Sequence, residues 1–142
     1  MHYPAKILAL EKNDYEGLLL LEIQSVVFSC SYQAPLDFAE QYLSPGSLIT
    51  VDLWMMFNEG KARIVRDYVP SFPKDVKIAG GTVQGSVTAI SSRGDLRLDC
   101  GDILLDVHSN GTFAVGTCLQ IRGTYQVFFP NTGYSYEEMG PI

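Results

Sequence analysis

The sequence predicts a mainly β protein with one short helix, its strands forming two small barrel-like units in tandem. Three observations predict it. Apolar residues alternate along most of the chain, at the period of a half-buried strand. Turn residues interrupt that alternation at short intervals. Two stretches also read as copies of one β-meander: Lys6 to Tyr32, closed by Pro45-Gly46 and Ser47–Trp54, and Ser86 to Ser109, closed by Val115-Gly116 and Thr117–Ile121. A single β-sandwich or one merged barrel built from the two meanders is the alternative.

The elements follow in order. Ala5 to Glu11 is a first strand, and Asn13-Asp14-Tyr15-Glu16-Gly17 is turn chemistry. Gly17 to Gln24 is a second strand whose four consecutive leucines point to burial on both faces. Val26 to Tyr32 is a third, with Val26, Phe28 and Cys30 on one side. Pro35 to Leu43 is the helix. Pro35 suits its first turn, and Leu36, Ala39 and Leu43, joined by Phe38 and Tyr42, make an apolar stripe. Ser44-Pro45-Gly46 stops it. In the strand Ser47 to Asn58, Ile49, Val51, Leu53, Met55 and Phe57 form a core face, opposite Leu48, Thr50, Asp52, Trp54 and Met56.

Glu59-Gly60 turns the chain and Ala62 to Val69 extends it again. Pro70 and Pro73 mark a linker over residues 70–81, dividing a first unit (1–69) from a smaller second one (82–130). In that second unit Thr82–Ser91, Leu96–Asp99 and Ile103–His108 are strands, and Asn110-Gly111 is a hairpin-type turn. Thr112 to Gly116 stands where the first half has its helix, reduced to a turn. Thr117–Ile121 and Thr124–Phe129 are expected to pair across Arg122-Gly123, and residues 131–142 to form a mobile tail. The order strand, strand, strand, helix, strand, strand in the first half resembles an OB-type five-stranded barrel, and the second half resembles a reduced one. That resemblance is in element order and turn placement alone.

Bulk composition narrows the function classes. The net charge is −6; residues 1–80 carry seven Lys/Arg against ten Asp/Glu, and residues 81–142 three against six, so both halves are acidic. Phosphate backbones gain no electrostatic attraction from such a chain. The local basic run Lys61, Arg63, Arg66, Lys74 and Lys77 is interleaved with Glu59, Asp67 and Asp75, as on a solvated face. Cys30, Cys100 and Cys118 form no CxxC pair, and their odd number argues against a disulfide framework. No apolar run is long enough to span a bilayer, so no membrane association and a cytoplasmic location are expected.

No catalytic motif emerges. Asp95, Asp99, Asp102, Asp106 and His108 lack the spacing of a Ca²⁺ loop and read as a solvated surface. Cys100 and His108 could form a nucleophile–base pair only if brought together. Gly80 to Ser86 lacks the lysine of a phosphate loop and leads into a strand. The chain is therefore expected to be no enzyme and to need no metal or cofactor.

The stronger pointer is the face carrying Trp54 and Met56, with Tyr134 and Tyr136 in the tail, because exposed Trp, Tyr and Met mark surfaces where proteins meet. Burial of that face beneath the helix is the competing reading. The resulting expectation is a non-catalytic module holding a protein partner, adaptor-like or inhibitor-like. The alternatives are an OB-like nucleic-acid binder using Lys61, Arg63, Arg66 and Trp54, and a metal-dependent enzyme using the Asp99–His108 segment. Open strand edges also make a homodimer a candidate.

Overall fold

The computed structural model describes residues 1–56, 62–108 and 113–139. Nine strands follow the expected alternation: β1 (His2–Lys12), β2 (Glu16–Ile23), β3 (Val26–Gln33), β4 (Leu48–Met56), β5 (Ala62–Ile64), β6 (Gly80–Ile90), β7 (Leu96–Asp99), β8 (Leu104–Val107) and β9 (Cys118–Phe128). Helix α1 (Leu36–Tyr42) lies between β3 and β4, with Pro35 extended at its N-cap. A second helix, α2 (Tyr136–Met139), falls in the segment expected to be a mobile tail. The Glu59-Gly60 and Asn110-Gly111 turns and the core position Phe57 lie outside the described residues.

All nine strands belong to one sheet, in the order β3-β2-β1-β4-β8-β7-β6-β9-β5. Parallel pairing of β3 with β9 closes eight of them into a ring, and β5 adds to β9 outside it. A further ladder, β4 antiparallel to β9 from Asp52↔Phe128 to Met56↔Thr124, crosses the ring. The crossing creates two five-stranded circuits that share both strands. One runs β1-β2-β3-β9-β4, the other β6-β7-β8-β4-β9.

Each circuit thus contains a meander from one half of the chain and closes on a strand from the other. The repeat is real down to its hydrogen bonds. The bulge between Ile7 and Ala9 recurs between Val87 and Ala89. Lys6↔Leu48 recurs as Ser86↔Cys118, and Tyr3↔Val51 as Val83↔Ile121. Gly46 donates to Ile7 O at 2.7 Å and Gly116 to Val87 O at 2.8 Å; both glycines have positive φ, 90° and 93°. The pairing gives one merged ring, because β4 and β9 are each needed by both circuits.

The core follows the sheet. One buried cluster runs from Ile7, Leu19, Phe28 and Tyr32 in the first half to Val87, Leu98, Leu105 and Ile121 in the second. Val51, Leu53 and Met55 are fully buried at its centre, as their alternation predicts, while Ile49 is half-buried. Of the leucine run, Leu19 and Leu21 are buried and Leu18 and Leu20 half-buried.

Three expectations are corrected. Arg122 and Gly123 do not turn: Thr82 and Gly81 pair with them, so β9 stays one strand. The glycines permit that approach, since a Cβ at Gly80 would strike the Gly123 carbonyl. The 70–81 linker is no free spacer, because Phe72 is buried between Phe28 and Tyr125 and Ser29 Oγ donates to Val76 O at 2.7 Å. The extended segment after residue 62 is a three-residue strand only.

Candidate functional site

The outer face of β4 carries Asp52, Trp54 and Met56, and β9 places Phe128 beside them. The tail crosses this face. Pro130 ends β9, Asn131 and Gly133 take positive φ, and Phe129 pairs back with Tyr134. That turn sends Tyr136 onto Trp54, ring on ring at 3.6 Å and 8° from parallel, with Phe128 edge-on to Tyr136 at 5.3 Å. Met56 and Met139 complete a small second apolar cluster. Trp54 is only 8% exposed and Tyr136 3%. The expectation of an exposed Trp54/Met56 face is therefore corrected: the face is covered, by the tail rather than by helix α1.

Polar groups frame the stack. The Tyr136 hydroxyl lies 3.1 Å from His108 Nδ1, and the same nitrogen lies 3.0 Å from Asp95 Oδ1. Asp95 is buried and held by the tight turn after β6, where Ser91 Oγ accepts from the Asp95 amide at 3.1 Å. Burial, helped by the negative charge of Asp95, pushes the Tyr136 phenol up to about 12. The Arg93 guanidinium stands 5.7 Å above the Tyr136 ring, within cation–π range.

A second charged group lies alongside. Arg97 Nε donates to Asp106 Oδ1 at 2.8 Å, and the Met1 ammonium bridges Asp106 and Asp52. Asp52 and Asp106 are both buried, so each needs these partners. The bond to Asp106 holds the Arg97 guanidinium still more firmly protonated than usual. An open cleft of about 440 Å³ runs over this surface, bordered by Trp54, Ser92, Arg93, Arg97, Asp106 and Tyr136.

Proton relay through an imidazole uses one ring nitrogen toward the orienting acid and the other toward the reacting group. Here Asp95 and Tyr136 both meet the ring at Nδ1, which fixes its orientation. Burial raises the Cys100 thiol to about 12 and Cys30 higher still, which disfavours the nucleophilic thiolate. Of the five candidate metal or acid–base residues, Asp95 and His108 meet, while Asp99, Asp102 and Asp106 each take other partners. Asp95 binds His108, Asp106 binds Arg97, Asp102 meets Lys74 at 2.6 Å and Asp99 caps the Gly101 amide. Among the described residues no three His, Cys, Asp or Glu converge as metal ligands.

The remaining candidates disperse. Tyr134 is half-buried against Phe38, with ring centroids 5.0 Å apart. Arg63 is exposed on β5, its Nε donating to Gln120 Oε1 at 2.6 Å, and Arg66 is exposed just beyond. Lys61 lies outside the described residues. The structure instead exposes Ile64 (68%), Tyr68 (45%) and Val69 (61%) around those arginines. Their interruption of the basic run was the available signal. No protein-family model matches the chain, and neither a curated protein nor a solved structure matches it. Among the described residues no helix is long and apolar enough to cross a membrane.

Proposed function

We propose that this chain is a non-catalytic β-barrel interaction module that holds a protein partner, in the manner of an adaptor or inhibitor. The observation that carries the reading is β5. Among the described residues it ends the sheet and pairs with β9 alone; it presents Ile64 and Arg63 to solvent, and Arg66, Tyr68 and Val69 are exposed just beyond it. An open edge flanked by exposed apolar and arginine side chains suits protein contact. The engagement of the cleft's buried carboxylates, Asp106 by Arg97 and Asp95 by His108, supports the non-catalytic part. Three free thiols fit a reducing, cytoplasmic setting. Affinity capture from the native source tests the reading. Replacing Ile64 and Tyr68 by Ser should remove a partner captured by the wild type, with the melting temperature unchanged. Retention of every captured protein would contradict the assignment.

A second reading, an OB-like nucleic-acid binder, is favoured by one observation. The circuit β1-β2-β3-β9-β4 with α1 between β3 and β4 has OB-type element order, and Tyr15 in its first loop is 74% exposed. Against it, the aromatic side chains of β2 and β3, Phe28 and Tyr32, are buried, leaving no stacking platform there. A fluorescence titration with a single-stranded oligonucleotide decides: binding at low salt that vanishes in Tyr15→Ala would favour it, and no binding would remove it.

A further inference from the structure

The two halves repeat one another, but one position is filled in one half and empty in the other. On β9, Cys118 and Gln120 direct their backbone groups away from β6, and β5 takes them: Val65 N donates to Cys118 O at 2.9 Å and Arg63 pairs with Gln120. The register that equates Lys6↔Leu48 with Ser86↔Cys118 makes Leu48 and Thr50 of β4 the counterparts of Cys118 and Gln120. Leu53 N donates to Met1 O, so Val51 and Ile49 also turn their backbone groups toward β1, and Thr50 and Leu48 turn theirs outward. Among the described residues nothing pairs with that edge. Leu48 is 77% exposed and Thr50 is exposed.

Chain chemistry explains the difference. After β4 the chain continues along β9 as β5. After β9 it meets Pro130, which has no N–H to extend the ladder beyond Asp52↔Phe128, and the tail departs to cover Trp54. Where that ladder stops, a cleft of about 480 Å³ opens, bordered by His2, Asp52, Pro130, Asn131, Glu137 and Glu138. Asp52 is already paired with the Met1 ammonium, whereas the Glu137 and Glu138 side chains are exposed. Lys6 stands across β1 from Leu48, on the side away from the open edge.

We propose that the Leu48–Thr50 edge of β4 receives an extended, basic segment of a protein partner, added antiparallel to β4 as β5 is added to β9. The acidic rim at Glu137 and Glu138 selects the charge, and the chain's own Ala62–Ile64, with Arg63 at its centre, shows what the equivalent edge accepts. This rests on the protein-binding reading above and adds a second surface to it.

The probe is a synthetic peptide with the sequence of residues 62–66, Ala-Arg-Ile-Val-Arg, against an Ala-Glu-Ile-Val-Glu control. Amide hydrogen exchange is followed residue by residue on the full chain. The basic peptide should slow exchange at Thr50 about tenfold and leave Gln120 unchanged; the acidic peptide should do neither. Thr50→Pro removes one solvent-facing N–H from an edge position, where proline is tolerated, and should abolish the slowing that the basic peptide also produces at the other outward-facing amide, Leu48, with the melting temperature retained. Glu137→Lys with Glu138→Lys should weaken peptide binding about tenfold while leaving the strand untouched, which keeps the test valid if the proline variant misfolds. Protection confined to Gln120 would mean displacement of β5 and would overturn the proposal. So would Thr50 protection that rises with protein concentration without peptide, since a second copy would then occupy the edge. If the peptide fails while a partner is still lost with Ile64→Ser and Tyr68→Ser, this inference falls and the protein-binding reading stands.

Discussion

Trp54 and Tyr136 lie face to face at 3.6 Å, although 82 positions separate them, and their contact decides which face of β4 the protein shows. Stacking of this kind adds about 0.5–1.5 kcal/mol to the area buried. It converts a strand face that resembles a binding surface into a second, smaller core.

Tyr136→Ala should therefore uncover the indole and destabilise the fold by about 3 kcal/mol. Trp54 is the sole tryptophan, so its emission reports the event directly. The variant should show a red-shifted maximum and stronger acrylamide quenching under native conditions. An unchanged spectrum would mean that the tail does not cover Trp54.

The same phenol gives a pH signature. Burial raises its folded-state value to about 12, above the ordinary tyrosine value of about 10. Below pH 10 both folded and unfolded forms are neutral and its contribution is intact. As pH rises from about 10 to about 12 the unfolded form ionises first, so stability falls across that window. Tyr3, Tyr32 and Tyr125 are raised by burial as well and steepen the fall. Denaturant midpoints from pH 9 to 12 should decline, and Tyr136→Phe should decline less.

Much of this architecture is legible in the sequence. Apolar alternation, turn glycines and the proline before α1 mark the elements, and the closing Pro45-Gly46 and Val115-Gly116, each followed by a strand, mark the repeat. The exchange of closing strands is not legible, because β4 and β9 are both apolar on their inner faces and local pattern does not record which distant strand pairs with which. Burial of Trp54 escapes for a related reason: its cover comes from a Tyr- and Gly-containing tail without strand or helix periodicity. Arg122-Gly123 imitates a turn, and only the glycines opposite it on β6 reveal an extended strand.

Gly46 and Gly116 test the equivalence of the halves. Both occupy left-handed backbone, and a Cβ would meet no atom within 4 Å at either position. Gly46→Ala and Gly116→Ala should each cost about 1 kcal/mol, from backbone strain alone. Chemical denaturation should return matching losses; a large loss at only one of them would break the correspondence.

Thiol chemistry should divide the cysteines. Cys30 and Cys100 are buried with thiols raised by that burial, whereas Cys118 is half-buried. Under native conditions at pH 8 a thiol reagent should label Cys118 ahead of the other two, and all three together after unfolding. Mass spectrometry of the labelled peptides checks the order.

The central structural claim is that each circuit is closed by a strand from the other half. Separate expression of residues 1–79 and 80–142 tests it most directly, with Trp54 in one fragment and Tyr136 in the other. Neither fragment alone should give a dispersed amide spectrum or a cooperative melt, and mixing the two should restore both along with the shielded emission of Trp54. A fragment that folds cooperatively by itself would contradict the shared-strand architecture.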